Sequence, residues 1–523
     1  MASVFSEDLR IQNATNFKDV ITRQVGNTRV YFVYGKNYAW ANDAAPDQAN
    51  SSIDAFNNLW KNMIGAKLLA GNEVRHVIPR FDWTANNIYA AYDHCTCSLQ
   101  LFNGNTQFYV MTTDYNVYKC ISNNMTMIQN TSNLTITTGE GNLFTTLTLS
   151  DTPANSNVSF GNSYWIIVNN TNLSVVSSNQ TSNTIVVTPG LSGNIVANSV
   201  YVVSYSPPST VKPTQIYQNR SVEETDGYVW KYMYTVDTAD RTRFTTDQYI
   251  PVKTVLFNDN SLQWGVQANA VPGAIESIEI VNPGSGYTDA NNLTITIVGD
   301  GTGAAANVRV NTSSNTLSNI AIYNKGAGYT FANATITDST GNGVGGTARV
   351  IISPSGGHGS DAISELGGSY LILNPRLSGS ENDKFPTTNE YRQVGLIVSP
   401  HVRSTNNIAS NVAYSQYLTA ILDTSTNAFD QDEVVYQGTS LATATFSGKV
   451  LEYSNNIVKL TDTVGTITAD VLVGSNTGVT RFVQDSINKE LEPYSGKLLY
   501  IDNIVPITRA SDQTEDFKIV LKF

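Results

Sequence analysis

The chain is poor in charge, in cysteine and in histidine, and each shortage narrows what it can do. Of its 523 residues only 14% are Asp, Glu, Lys or Arg, against about 25% in an average soluble domain. Its polar surface must therefore come from Asn, Thr and Ser. These residues favour turns, Thr also suits strands, and none favours helix interiors. No Lys/Arg cluster occurs and the formal net charge is −12. A phosphate-binding surface needs concentrated positive charge, so no nucleic-acid partner is expected, and the acidity implies a soluble, self-repelling chain. No apolar run reaches the ~18 residues of a membrane-spanning helix, so no membrane partner is expected. The start, Met1-Ala2-Ser3-Val4-Phe5-Ser6-Glu7-Asp8, has neither the basic nor the apolar region of a signal peptide. Three cysteines, an odd number, fit a reducing compartment better than a disulfide framework. Synthesis in the cytoplasm is the expectation, and sequons such as Asn13-Ala14-Thr15 and Asn292-Leu293-Thr294 are by-products of composition.

Motifs for chemistry are equally scarce. The densest set of metal-type ligands is Asp93-His94-Cys95-Thr96-Cys97, with only Cys120 to add and no second His pair among His76, His94, His358 and His401. Zinc sites want paired sets of ligands, so ordinary thiols and a surface His are the better reading. Gly356-Gly357-His358-Gly359-Ser360-Asp361-Ala362-Ile363-Ser364 fits a calcium-binding nonapeptide, but that chemistry needs tandem copies, and a single copy reads as a Gly-rich hinge. Asp300-Gly301-Thr302-Gly303 and Gly284-Ser285-Gly286 lack the Lys-Ser/Thr of a phosphate loop. No Gly-x-Ser-x-Gly elbow precedes a helix, and carboxylate pairs such as Asp430/Asp432 or Glu223/Glu224 are too common to mark a glycosidase. No enzyme activity, metal, cofactor or small-molecule substrate is expected.

What is present reads as mainly β: 37 Gly, 27 Tyr and 18 Phe, in a length that suits roughly three to four domains. A few helices lie near the N-terminus. One is expected over Ser6–Thr22, followed by a strand at Val30–Tyr34. A second is expected over Ile53–Ala70, where Ile53, Phe56, Leu59, Trp60, Met63, Ile64 and Ala66 recur at helical spacing, Ser51 or Ser52 can cap and Gly71 ends it. An extended segment Ile78–Trp83 and strands at Gln107–Thr112 and Asn116–Ser122 follow. Residues 126–207 are nearly free of charge, with short alternating stretches such as Leu134–Thr137 and Thr184–Thr188, and close on Pro207-Pro208. They read as an inserted β-domain.

An internal repeat comes next. Ile278-Glu279-Ile280-Val281-Asn282-Pro283-Gly284-Ser285-Gly286-Tyr287-Thr288 returns 42 residues later as Ile320-Ala321-Ile322-Tyr323-Asn324-Lys325-Gly326-Ala327-Gly328-Tyr329-Thr330. One such unit cannot bury its apolar face alone, so two copies should pack on each other. Residues 273–357 therefore read as an inserted Gly-rich repeat domain, and residues 426–485 as a third insertion, a small barrel of five or six strands.

Three distant pieces form a signature: Ile78-Pro79-Arg80-Phe81-Asp82-Trp83; Asp226-Gly227-Tyr228-Val229-Trp230-Lys231-Tyr232-Met233-Tyr234; and Ser495-Gly496-Lys497-Leu498-Leu499-Tyr500-Ile501-Asp502-Asn503 with Ser511-Asp512-Gln513-Thr514-Glu515 and the closing alternation Ile519, Leu521, Phe523. In this order they resemble the baseplate wedge subunit of T-even-like contractile-tailed phages, the gene product eight family. The resemblance covers roughly residues 1–125, 208–272, 358–425 and 486–523, a discontinuous frame of β-sandwich character interrupted by the three insertions, and the insert-rich build resembles phages of marine cyanobacteria. It implies a structural, non-enzymatic subunit of the virion tail baseplate. It also implies a homodimer in contact with other wedge subunits: the wedge-core dimer, the large arm protein and the peripheral protein that carries fibre attachments. The signature residues Pro79, Arg80, Asp82, Trp83, Gly227, Tyr228, Trp230, Tyr232, Ser495, Gly496, Asp512 and Gln513 are expected at packing or subunit contacts.

In Tyr228–Tyr234 the even positions are aromatic, as on a strand with one aromatic face. Such a face could line a sugar groove, but packing or an interface is the more usual use. A receptor- or glycan-binding tail protein acting through its insertions is the alternative reading, and a polysaccharide-degrading virion enzyme ranks below it.

Overall fold

The structure is a computed structural model. It describes residues 5–24, 27–95, 107–128 and 207–523, together with residue 182 and the strand segments 135–140, 145–149, 164–168, 171–179, 184–188, 199–200 and 202–205. The chain is mainly β, built from many antiparallel sheets with few helices. It divides into two compact units, Met1–Ile11 with Val77–Ser369 and Gln12–His76 with Tyr370–Phe523. No helix among the described residues is long and apolar enough to cross a membrane.

The second of these units is organised on a five-stranded antiparallel sheet in the order Ala413–Ser415, Met63–Leu68, Val30–Gly35, Glu390–Val398, Lys497–Thr508. Its central strand, Val30–Gly35, is buried along its whole length, which explains why it reads as an apolar run instead of an alternation. Phe32 and Tyr34 face one core, with Leu396, Tyr391 and Phe385; Tyr31 and Val33 face the other, with Leu59, Trp60 and Ile397. Helix Glu7–Arg23, close to its expected span, contributes Ala14 and Ile21 to the first of these cores. The closing alternation is also legible: Ile519 is buried, Val520 is 38% exposed, and strand Ile519–Lys522 pairs with Tyr370–Leu373.

The helix expected over Ile53–Ala70 is about half that long. It runs Ile53–Asn62, with the Ser52 hydroxyl accepting from the Ala55 N–H, and at Met63 the backbone becomes extended (φ −60°, ψ 131°). Met63–Leu68 is a strand against Val30–Gly35. Two causes override the helical period. Gly65 disfavours a helix interior by about 1 kcal/mol, and a Cβ there would lie 2.4 Å from the Phe385 ring. The strand also pairs the edge of buried strand Val30–Gly35, whose backbone groups a continued helix would leave without those partners.

Strands Leu418–Leu422, Ile457–Gly465, Phe446–Ser454, Val434–Gln437, Val471–Gly474 and Thr480–Ile487 close into a barrel, filled by Leu418, Ala420, Val435, Phe446, Val450, Leu460, Leu472 and Val483. Asn37 ties it to its own unit. The Asn37 amide donates to the Asp432 carboxylate and accepts from the Thr461 hydroxyl at 2.9 Å.

In the other unit, one sheet runs Val222–Glu223, Tyr228–Thr235, Asn116–Asn123, Tyr109–Met111, and a second contains eight described strands between Thr126 and Tyr205. The ends of the latter segment lie side by side, since Val203 pairs with Ile128 and Tyr205 with Thr126. The two 42-residue repeats interlock. The first strand of one, Ile275–Ser285, pairs with the last strand of the other, Val344–Ile352. The last strand of the first, Thr302–Asn311, pairs with the first strand of the second, Thr316–Ala327. The middle strands Leu293–Gly299 and Ala332–Asp338 pair with each other. Gly286 and Gly328 occupy equivalent left-handed turns (φ +80° and +79°). The buried tyrosines that follow them act alike: Tyr287 Oη accepts the Gly346 N–H at 3.1 Å, and Tyr329 Oη accepts the Ala304 N–H at 3.3 Å.

Candidate functional site

The middle signature piece begins at a turn that only glycine fills without strain. Gly227 has φ +82°, and a Cβ there would lie 2.3 Å from the Asn124 amide. Beside it Asp226 gathers four donors: the Thr210 and Val211 N–H groups at 2.8 and 2.9 Å, the Ser209 hydroxyl at 3.2 Å and the Tyr228 N–H at 3.1 Å. Burial pushes the Asp226 carboxyl up, but these hydrogen bonds outweigh it and hold the group below the usual carboxylate range. Tyr228 Oη donates to Pro207 O at 2.7 Å. The first piece meets the second here, because Trp83 Nε1 donates to the Ser209 hydroxyl at 3.3 Å. Ser209 is fully buried. It is a joint that sequence reading missed, and its only signal is its place after Pro207-Pro208.

The expected single aromatic face is interrupted. Register shifts fall between Val229 and Trp230 and between Tyr232 and Tyr234, so the two-residue period breaks at each bulge. Tyr228, Trp230 and Tyr232 share a cluster with Tyr89, Tyr118, Cys120 and Trp83, whereas Met233 and Tyr234 join Ile78, Phe108 and Ile250. The Tyr228 and Trp230 rings stack at 5.8 Å, and Tyr89 meets Trp230 edge-on at 5.4 Å. The four aromatics of the strand are 0–2% exposed, which leaves no ring face for a sugar to stack on. In the first piece, Pro79 O accepts from Tyr109 Oη at 2.6 Å, Arg80 Nε donates to Asp82 at 3.0 Å, and the Trp83 N–H donates to Met111 O at 2.9 Å. The Arg80–Asp82 pair is solvent-facing, so it adds little stability.

The third piece belongs to the other unit. The Ser495 hydroxyl accepts from the His401 N–H at 2.9 Å and donates to Glu492 O at 2.7 Å. Gly496 has φ +75°, and a Cβ there would lie 2.5 Å from Val398 O. Gln513 O accepts from the Gly379 N–H at 3.1 Å, while Asp512 is exposed.

Two polar clusters gather groups of the metal-binding or titratable kind. Asp93, His94 and Cys95 bring ligand-type atoms within 4.8 Å of one another; Cys97 lies outside the described residues. Each group is engaged in packing. Asp93 pairs with Arg349 at 2.7 Å, His94 Nδ1 accepts the Ile352 N–H at 3.3 Å, and His94 Nε2 lies 3.4 Å from Cys95 Sγ. The Gly356–Ser364 segment is a turn that wraps a buried charge. Asp361 caps the short helix Ala362–Glu365, and Glu365 accepts the Gly359 N–H at 2.6 Å. Glu365 also pairs with fully buried Lys119 at 3.0 Å, with His358 Nδ1 3.5 Å away and the Tyr92 ring 4.0 Å from the Lys119 ammonium.

These environments set a response to acid. Burial lowers the His358 pKa from its ordinary 6.5, and nearby Lys119 lowers it further. Burial pushes Glu365 up, but Lys119 and His358 outweigh this and bring it from 4.5 down to about 2. Both groups therefore hold fewer protons folded than unfolded as the pH drops, and stability is lost in that direction. The loss from His358 begins below pH 6.5 and that from Glu365 runs from 4.5 towards 2. Urea denaturation at stepped pH should show stability falling as the pH drops below about 6.5, with a shallower fall in His358→Gln. Equal slopes for the two proteins would refute the assignment to His358.

Residues 3–148 match the family model described as Phage-Gp8: Bacteriophage T4, Gp8. No curated protein matches the chain. The matched stretch contains the first signature piece, the Trp60 helix and the central strand Val30–Gly35; the second and third pieces lie beyond it. Over residues 3–148 the chain is similar to the gene product eight family, the baseplate-wedge proteins of bacteriophage.

Proposed function

We propose that this chain is a homodimeric subunit of a contractile-tail baseplate wedge, joining wedge-core proteins to the arm protein and the peripheral fibre-attachment protein during tail assembly. The family match over residues 3–148 carries the reading. The burial of Tyr228, Trp230 and Tyr232 in a core supports it, because it turns the signature into a scaffold. We further propose that residues 1–125, 208–272, 358–425 and 486–523 are the assembling frame and that 126–207, 273–357 and 426–485 decorate it. Domain insertions are tolerated where both ends lie close together. The Ala274 N–H donates to the Ser353 hydroxyl at 2.9 Å and the Ser353 N–H to Ala274 O at 2.8 Å, which supports that division at the repeat module.

Light scattering of the purified chain and co-purification with co-expressed wedge subunits test the proposal. The expected result is a two-fold dimer that retains its partners when residues 273–357 are replaced by a short Gly/Ser linker. A monomer that captures no wedge subunit would sink the assembly reading. A deletion variant that aggregates would sink the frame division alone.

A further inference from the structure

A cavity of about 160 Å³ opens beside the buried cluster, between the loop before strand Val222–Glu223, the segment after helix Leu262–Ala268 and the glycine turn of the second repeat. Its walls carry three cationic side chains, Arg220, Lys231 and Lys325, against one carboxylate, Glu276. Lys325 neutralises Glu276 at 2.5 Å, so two positive charges are left over. Lys231 is 5% exposed, and its ammonium has Gln218 O, at 3.0 Å, as its hydrogen-bond partner among the described residues. Arg220 lies over the Tyr217 ring at 4.1 Å, with no carboxylate in ion-pair range among the described residues. His358 also lines the cavity and is 6% exposed. Neither of its ring nitrogens makes a hydrogen bond among the described residues, and the carboxylates beside them stand off at 3.5 and 3.8 Å.

A buried ammonium with a single carbonyl acceptor, beside a buried imidazole whose flanking carboxylates stand off at 3.5 and 3.8 Å, is costly unless something more accepts from these groups. We infer that this cavity binds one small oxyanion, of the carboxylate or phosphate class. The Lys231 ammonium and the Arg220 fork would donate charge-assisted hydrogen bonds to it, and His358 would donate a further one. The volume suits this class. The cavity, about 160 Å³, is large enough to admit a carboxylate or phosphate group. The site is distinct from the assembly role, and its failure would leave that role untouched.

Isothermal titration of the full chain with inorganic phosphate, and separately with acetate and succinate, tests the site. Saturable binding of one ion per chain is expected. Arg220→Ala, at an exposed position, and Lys231→Met should each weaken it by about tenfold or more, and Lys497→Ala, in the other unit, should not. If Lys231→Met fails to fold, Arg220→Ala decides. Phosphate binding alone identifies a phosphate group, and acetate or succinate binding alone identifies a carboxylate. No saturable binding of any of them overturns the inference, as does binding that Arg220→Ala leaves unchanged, which would mark an adventitious ion only.

Discussion

Trp230→Ala should destabilise the unit that holds it by about 3–5 kcal/mol, the usual cost of truncating a buried Trp and a large share of the ~5–15 kcal/mol that holds a domain together. The ring is 1% exposed and packs against both Tyr228 and Tyr89, which also touch each other. Those neighbours cannot move in to fill the space. Tyr228 Oη is held by Pro207 O at 2.7 Å, and the Thr84 N–H donates to Tyr89 Oη at 2.7 Å. The cavity therefore stays open, which puts the cost towards the upper end of the range. Trp230→Phe provides the contrast. Trp230 Nε1 is buried without a hydrogen-bond partner among the described residues, so Phe removes an unsatisfied donor while keeping a ring, and its cost should be well below that of Ala. Chemical denaturation of both variants is the measurement. An Ala variant within about 1 kcal/mol of the parent would mean that the cluster is not the core it is described as.

In the other unit the largest effect is expected at Arg509. Its side chain is fully buried, with four of its five N–H donors engaged: Nε meets Glu515 at 3.0 Å, Nη1 donates to Tyr34 Oη and Pro386 O at 3.1 and 3.2 Å, and Nη2 donates to Gly379 O at 2.6 Å. Arg509→Ala strands the Glu515 carboxylate, 5% exposed and with Oε2 already unpartnered among the described residues. Breaking a buried pair in this way costs about 3–5 kcal/mol. Replacing both partners with apolar residues, Arg509→Met with Glu515→Leu, should recover most of that loss, because no lone charge remains. The same denaturation assay reads both. If the double variant is no more stable than Arg509→Ala, the guanidinium contributes through its carbonyl contacts and the ion pair is incidental.

How far the sequence could be read depended on whether a feature was local. Strand Val30–Gly35 and helix Glu7–Arg23 were legible because their apolar content or period is set within the segment. The Ile53–Ala70 period misled after Asn62, since Met63, Ile64 and Ala66 answer to the strands beside them and to Phe385. Bulges at Trp230 and after Tyr232 were invisible for the same reason: a bulge is a property of the pairing with Asn116–Asn123. The signature pointed to Asp226, Trp83 and Tyr228. It could not show that Asp226 and Trp83 both meet the buried Ser209 hydroxyl, or that Tyr228 reaches back to Pro207, because both of these contacts are contributed from outside the signature. The spacing of Lys119, Glu276, His358 and Glu365 along the chain gave no sign that they form one cluster.

The interlocked repeats have a consequence for synthesis. Strand Ile275–Ser285 finds its partner only when Val344–Ile352 exists, so the module cannot fold stepwise as an ordinary tandem array can. The whole stretch must leave the ribosome before its outermost ladder closes, and such long-range closure is slow. During that delay the first repeat presents unpaired edges of the shape its sister repeat fits. A neighbouring nascent chain offers the same sister strands, so exchange of repeats between chains, not simple aggregation, is the misassembly to which this module is most open.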